Sequence, residues 1–104
     1  MSKLSEILKL EAKNDNFIYF EVPGRMDDSA RDLALTMNGF DGRETYIRAK
    51  MAKRKIEAIT CWYNTRTFPS VKTFFFTPEL STTDPVAKCM CDSLMEAIKE
   101  LKLL

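Results

Sequence analysis

A chain of 104 residues has room for one modest core and is read as a single domain over residues 1–104. Hydrophobic residues at 45% beside charged residues at 30% exclude a disordered chain. A formal charge of +1 excludes the strong basic field of an obligate nucleic-acid binder, and three cysteines without framework spacing exclude a disulfide scaffold.

The opening segment, MSKLSEILKLEAK, is charged every few residues and lacks the apolar core and cleavage site of a secretory signal. No apolar run approaches the ~18 residues needed to span a bilayer, so the expectation is a soluble, cytosolic protein without membrane contact. Leu4, Ile7, Leu8 and Glu11 stand three and four apart behind a Ser2 cap, which predicts an amphipathic helix over residues 3–13. Asn14-Asp15-Asn16 ends it. Phe17 to Val22 is rich in aromatic and β-branched residues and closes on Pro23-Gly24, the pattern of a strand too apolar to stand uncovered. Asp27 and Asp28 read as helix caps rather than a catalytic carboxylate pair. Over residues 29–37, Ala30, Leu33, Ala34 and Met37 fit a helix while Leu33, Leu35 and Met37 fit a strand. Propensity favours the helix.

Asn38-Gly39 marks a turn. Residues 41–63 then read as one long central helix, because no Gly, Pro, Asn or Asp interrupts residues 43–63 and Asp41 with Glu44 has the form of a capping box. At about 100° per residue, Ile47, Met51, Ala58 and Trp62 share one buried arc. Arg43, Lys50, Lys53 and Arg54 share the adjacent one, a basic shoulder in a segment that holds six Lys or Arg against two Glu. Glu57 lies in the same arc and pairs with Lys53, which dilutes the field.

Residues 64–70 form a polar loop with Pro69, and Val71 to Thr77 a second strand, closed by Pro78. Thr60 to Tyr63, good β-formers, have the alternative of leaving the helix to pair with that strand. Phe74, Phe75 and Phe76 cannot all face one core, since strand side chains alternate; either both faces are covered or a ring is left for a partner. After a polar linker over residues 79–83, Asp84 as N-cap and Pro85 at the first turn open a final helix, with Val86, Met90, Leu94, Ala97, Ile98 and Leu101 on one face. The expected fold is α+β and mostly helical, with N-terminal, central and C-terminal helices around a small antiparallel sheet.

Chemistry is sparsely supplied. The chain has no histidine, which removes the commonest general base and metal ligand. Its three glycines form no phosphate loop. Cys61, Cys89 and Cys91 lack zinc-site spacing, and on a helix Cys89 and Cys91 point about 160° apart, so they read as small apolar filler. No catalytic residue, metal or cofactor is assigned. The residues assigned to partner contact are Arg43, Lys50, Lys53, Arg54, Phe74, Phe75 and Phe76.

A short opening helix in SKLSEIL, a strand ending in Phe20-Glu21-Val22-Pro23-Gly24, a charged helix, the apolar segment Ile56 to Trp62, the strand Lys72 to Thr77 and a last helix carrying Leu94, Ile98 and Leu101 follow one another. In this order they resemble the tail assembly chaperones of long-tailed bacteriophages. The chain departs from that pattern at residues 64–70, where such proteins tend to carry Asp-x-x-Gly-Lys. The resemblance implies a non-enzymatic protein of the host cytoplasm that binds the tape measure protein before tail tube subunits polymerise around it. Two alternatives stay open: a small nucleic-acid-binding or regulatory protein acting through the basic shoulder, and a host-directed inhibitor. An unpaired strand edge or an exposed phenylalanine would favour self-association.

Overall fold

The structure, a computed structural model, describes residues 3–24, 29–63, 70–76 and 84–104. Its sheet runs in chain order through β1 (Lys9–Lys13), β2 (Phe17–Glu21), β3 (Glu44–Ala52), β4 (Lys55–Tyr63) and β5 (Ser70–Phe75), each neighbouring pair antiparallel. The helices are α1 (Leu4–Ile7), α2 (Ser29–Met37), inserted between β2 and β3, and α3 (Pro85–Glu100). Among the described residues no helix is long and apolar enough to cross a membrane.

Strand alternation sends Ile18 and Phe20 of β2, Ile47 and Ala49 of β3, and Ile59 and Cys61 of β4 to one face of the sheet, all buried. Leu4 and Leu8 around α1, Leu35 of α2, Phe40, and Met90, Leu94, Ala97 and Ile98 of α3 close over that face in one core. The final helix forms as its signals dictate. Asp84 accepts a hydrogen bond from Val86 N at 3.0 Å, and Pro85 follows at the first turn. Helix α2 is held by Arg31, whose Nη1 donates to the Glu44 carbonyl at 2.9 Å while Nη2 meets Asp32 at 2.9 Å. That single side chain ties the helix to the start of β3.

The fold is α+β but not mostly helical. The central helix expected over residues 41–63 does not form; its place is taken by the β3–β4 hairpin, the two long strands at the middle of the sheet. Ala52 pairs with Lys55, so the turn is the two residues Lys53 and Arg54, both left-handed at φ 52° and 65°. Such a turn matches the strand twist but usually carries Asn or Gly, and neither is present to signal it. Ile56, Ile59, Thr60, Trp62 and Tyr63 are strand formers, and sheet pairing on both sides of β4 outweighs the helical spacing of the apolar residues. Half of the capping box is real. The Glu44 carboxylate accepts Asp41 N at 2.7 Å and Gly42 N at 2.9 Å, but it does so from a strand, and Asp41 turns to Arg43 instead.

The N-terminal helix is likewise shorter than the predicted 3–13. It ends at Ile7, and residues 9–13 become the outer strand β1, every side chain exposed, because pairing with β2 satisfies a backbone that one helical turn cannot stabilise alone. The strand at 17–22 and the helix at 29–37 appear essentially where predicted. Thr60 to Tyr63 pair with β5, as the alternative reading of that segment has it. The Ser2 cap, Asp27 and Asp28, residues 64–69, Thr77 with Pro78, and the 79–83 linker lie outside the described residues.

Candidate interaction face

The face of the sheet turned away from the helices is built by the same alternation. Register places its side chains in three rows across β2, β3, β4 and β5: Phe17, Lys50, Ala58 and Phe75; then Tyr19, Arg48, Thr60 and Thr73; then Glu21, Tyr46, Trp62 and Val71. None of these joins the buried core under the helices. Phe75, Val71 and Tyr46 are 57%, 54% and 43% exposed. Apolar side chains held out from a rigid sheet are what an interface needs, since such anchors lose little freedom when covered.

Arg48 stands at the centre. Its guanidinium carbon lies 4.7 Å from the Phe17 ring centroid, 5.7 Å from Trp62 and 6.0 Å from Tyr19. The negative faces of the rings attract the cation and shield it from water. Nη2 donates to Thr60 Oγ1 at 3.3 Å, and Thr60 exchanges a hydrogen bond with Thr73 at 3.0 Å, so a polar line crosses three strands beneath the aromatics. The Arg48 Nε is buried and has no hydrogen-bond partner. Lys50, one row along, has its ammonium 3.8 Å from Glu57.

Comparison with known protein families, with curated proteins and with solved structures finds no match for this chain.

The residues assigned to partner contact from sequence are dispersed. Arg43 precedes β3 and is paired with Asp41 at 2.8 Å, whereas Lys53 and Arg54 occupy the turn at the far end of that strand. Nine strand residues separate the two ends, about 30 Å at ~3.3 Å per residue, so the basic shoulder of the expected helix is not one surface. Lys50 belongs to the face turned away from α1, α2 and α3. Of the three phenylalanines, Phe74 and Phe76 pack against the core and Phe75 points the other way, outward. Phe17, Tyr19, Tyr46, Arg48, Trp62 and Val71 are not among the residues assigned to partner contact from sequence, and Trp62, expected on the buried arc of a helix, lies instead on this face. The period-two runs Tyr46-x-Arg48-x-Lys50 and Ala58-x-Thr60-x-Trp62 are the signal that puts Tyr46, Arg48 and Trp62 each on one side of its own strand; their meeting with Phe17, Tyr19 and Val71 comes from register.

At one end of the core side a cleft of about 470 Å³ lies between α3 and β5, lined by Phe40, Arg43, Tyr63, Lys72, Phe74, Asp84 and Met90. Its charged groups are engaged within the protein: Arg43 with Asp41, Asp84 with the helix start, and the Lys72 ammonium 4.9 Å over the Phe74 ring. The thiols are spread apart, with Cys61 buried in β4, Cys89 exposed and Cys91 part-covered on α3. Burial pushes the Cys61 thiol up to about 12, which suppresses the thiolate that nucleophilic or metal chemistry requires. Among the described residues no group of three or more Cys, Asp or Glu is placed to hold a metal ion.

Proposed function

We propose that this protein is a non-enzymatic protein-binding module whose contact surface is the face of the sheet turned away from α1, α2 and α3. The observation that carries the reading is the three-row array of Phe17, Tyr19, Tyr46, Trp62, Val71 and Phe75 around Arg48. Aromatic residues and arginine dominate binding energy at protein interfaces, and a twisted sheet presents them in fixed positions. The sequence resemblance gives this reading its most concrete form, a phage tail assembly chaperone that covers apolar stretches of the tape measure protein until the tail tube encloses them.

The test is co-expression with the candidate tape measure protein. Solubilisation and co-purification of that partner are expected, and Trp62→Ala combined with Phe75→Ala is expected to abolish both while leaving the circular dichroism of the chain unchanged. A partner that precipitates with or without the protein overturns the chaperone form of the proposal. Co-purification that survives the double substitution removes this face as the contact surface. Arg43, Lys53 and Arg54, strung along the hairpin rather than gathered, offer an anionic partner less than a single basic patch would.

A further inference from the structure

Among the described residues Arg48 is a cation without a counter-charge. Arg31 has Asp32 and Arg43 has Asp41, and Arg54 stands exposed in a turn where water serves it. Arg48 forms no ion pair among the described residues, and its hydrogen bond to Thr60 uses one of five guanidinium N–H donors. Rings from β2 on one side and from β4 on the other flank the half-buried group, and the buried Nε has no acceptor. Leaving that donor unpaired is unfavourable, and a carboxylate arriving at the outer guanidinium nitrogens offsets part of the cost by supplying the charge partner the group lacks. Resting on the protein-binding reading above, we infer that Arg48 is a socket for one carboxylate, and that the occupant of this face is a slender peptide segment presenting an Asp or Glu between apolar side chains.

Two features select that occupant. Three rows at ~6.8 Å spacing over five strands at ~4.8 Å, β1 adding Ala12 beside Tyr19 and Lys9 beside Glu21, give about 400–500 Å² with side-chain margins. A stable pair of globular partners needs about 800 Å² from each, so a single helix or extended segment fits the area and a second copy of this chain does not. Charge selects among slender ligands. Lys50 is already beside Glu57, and Lys9 of β1 stands opposite Glu21 at the end of the row with Tyr46 and Trp62, so among the described residues Arg48 is the cation of this face with no carboxylate beside it. A nucleic-acid strand needs several phosphates neutralised at once and would meet the carboxylate of Glu21, whereas a lone carboxylate flanked by apolar groups matches one guanidinium among rings.

Trp62 is the only tryptophan of the chain and borders the socket, so its fluorescence reports occupancy directly. The experiment selects a displayed library of random twelve-residue peptides on the immobilised full chain and on Arg48→Met. Peptides from the unaltered protein are expected to be several-fold enriched in Asp or Glu next to Leu, Ile or Phe, and the acid enrichment is expected to vanish on Arg48→Met. A selected peptide titrated against Trp62 fluorescence is expected to lose about tenfold in affinity when its acid is changed to the amide, a comparison that needs no protein variant. Arg48→Lys is expected to retain part of that discrimination. Apolar peptides selected without acid enrichment overturn the socket and leave the protein-binding reading standing. No peptide above background, or displacement of the peptides by a twelve-nucleotide oligo(dT) whose binding falls steeply with salt, overturns both. A concentration-dependent dimer that blocks peptide binding assigns the face to a second copy and overturns the inference.

Discussion

A β-carbon placed on Gly39 would stand 2.5 Å from the backbone nitrogen of Met90 and 2.9 Å from the Val86 carbonyl oxygen. The turn after α2 therefore presses its backbone directly on the first turns of α3, and a hydrogen is all that fits between them. Gly39 also has φ +89°, a left-handed conformation that residues with a side chain adopt at a cost. Gly39→Ala is expected to lose more than about 3 kcal/mol of stability, strain and overpacking acting together. Gly42 is the milder case. It also has positive φ, at +107°, but its nearest neighbours would be the Thr36 hydroxyl at 3.0 Å and the Asp32 carbonyl oxygen at 3.2 Å, tight rather than overlapping, so Gly42→Ala is expected to cost about 2 kcal/mol, less than Gly39→Ala. Urea unfolding of both variants measures the difference.

The turn between β3 and β4 is strained for lack of the residues it asks for. Lys53 and Arg54 take left-handed conformations at φ 52° and 65° without an amide or a missing β-carbon to ease them. Replacing the pair by Asn-Gly is expected to stabilise the protein by about 1–2 kcal/mol, seen as a higher urea midpoint at unchanged slope. The sign matters more than the size. In a continuous helix over residues 41–63 the same Asn-Gly pair would lower stability by about 1 kcal/mol or more, so one double substitution separates the two architectures.

That turn also shows where the sequence stops being informative. Helix α3 is legible because Asp84 and Pro85 act locally, on their own backbone, and its apolar positions repeat over four turns. Strand β2 is legible because four consecutive strand formers, Phe17 to Phe20, run on through Glu21 and Val22 to a Pro-Gly stop. The β3–β4 hairpin is illegible at its turn, since nothing in Lys53-Arg54 reveals a preference for positive φ. Ile47, Met51, Ala58 and Trp62 happen to stand at helical spacing, yet Ile47 faces the core and Trp62 the opposite side of the sheet. The candidate face was hidden for a further reason. Phe17, Arg48 and Trp62 belong to three strands and meet only through register, a non-local quantity that no window of sequence carries. What the sequence does indicate is that Phe74, Phe75 and Phe76 must divide between two faces, and they do.

Glu44 is completely buried and spends both carboxylate oxygens on backbone, taking Asp41 N at 2.7 Å and Gly42 N at 2.9 Å. These two bonds close the loop that delivers the chain from α2 into β3. Glu44→Gln puts an amide donor where one of two donors must be met and is expected to cost about 2 kcal/mol; Glu44→Ala leaves both N–H groups unanswered and is expected to cost about 3. Glu57→Gln, at a part-exposed ion pair of 3.8 Å, is expected to change stability by less than about 1 kcal/mol. Equal effects at positions 44 and 57 in urea titrations would show that the loop does not depend on the Glu44 carboxylate.

Alkaline destabilisation follows from the core. Burial pushes the Cys61 thiol up to about 12 from its ordinary 9.0, with the Glu44 charge adding to the effect, and burial also raises the neighbouring Tyr63 hydroxyl. In the unfolded chain the thiol loses its proton near 9.0, while in the folded protein it keeps the proton to about 12, so across that window the folded state binds more protons. The contribution is therefore fully present below pH 9.0 and is lost as the pH climbs toward 12, the reverse of a paired carboxylate. Stability measured by urea unfolding is expected to be level up to about pH 8.5 and then to fall with a slope approaching about 1.4 kcal/mol per pH unit for one such group. Tyr63 ionises later in the unfolded chain and steepens the decline above about pH 10. Cys91, less deeply covered, shifts in the same direction and adds less. Cys61→Ala is expected to lower stability at neutral pH through the cavity it leaves, yet to flatten the decline between about pH 9 and 10. If the slope in that interval survives the substitution, the missing proton belongs to another group, and the Cys61 thiol is not the one that the core holds neutral.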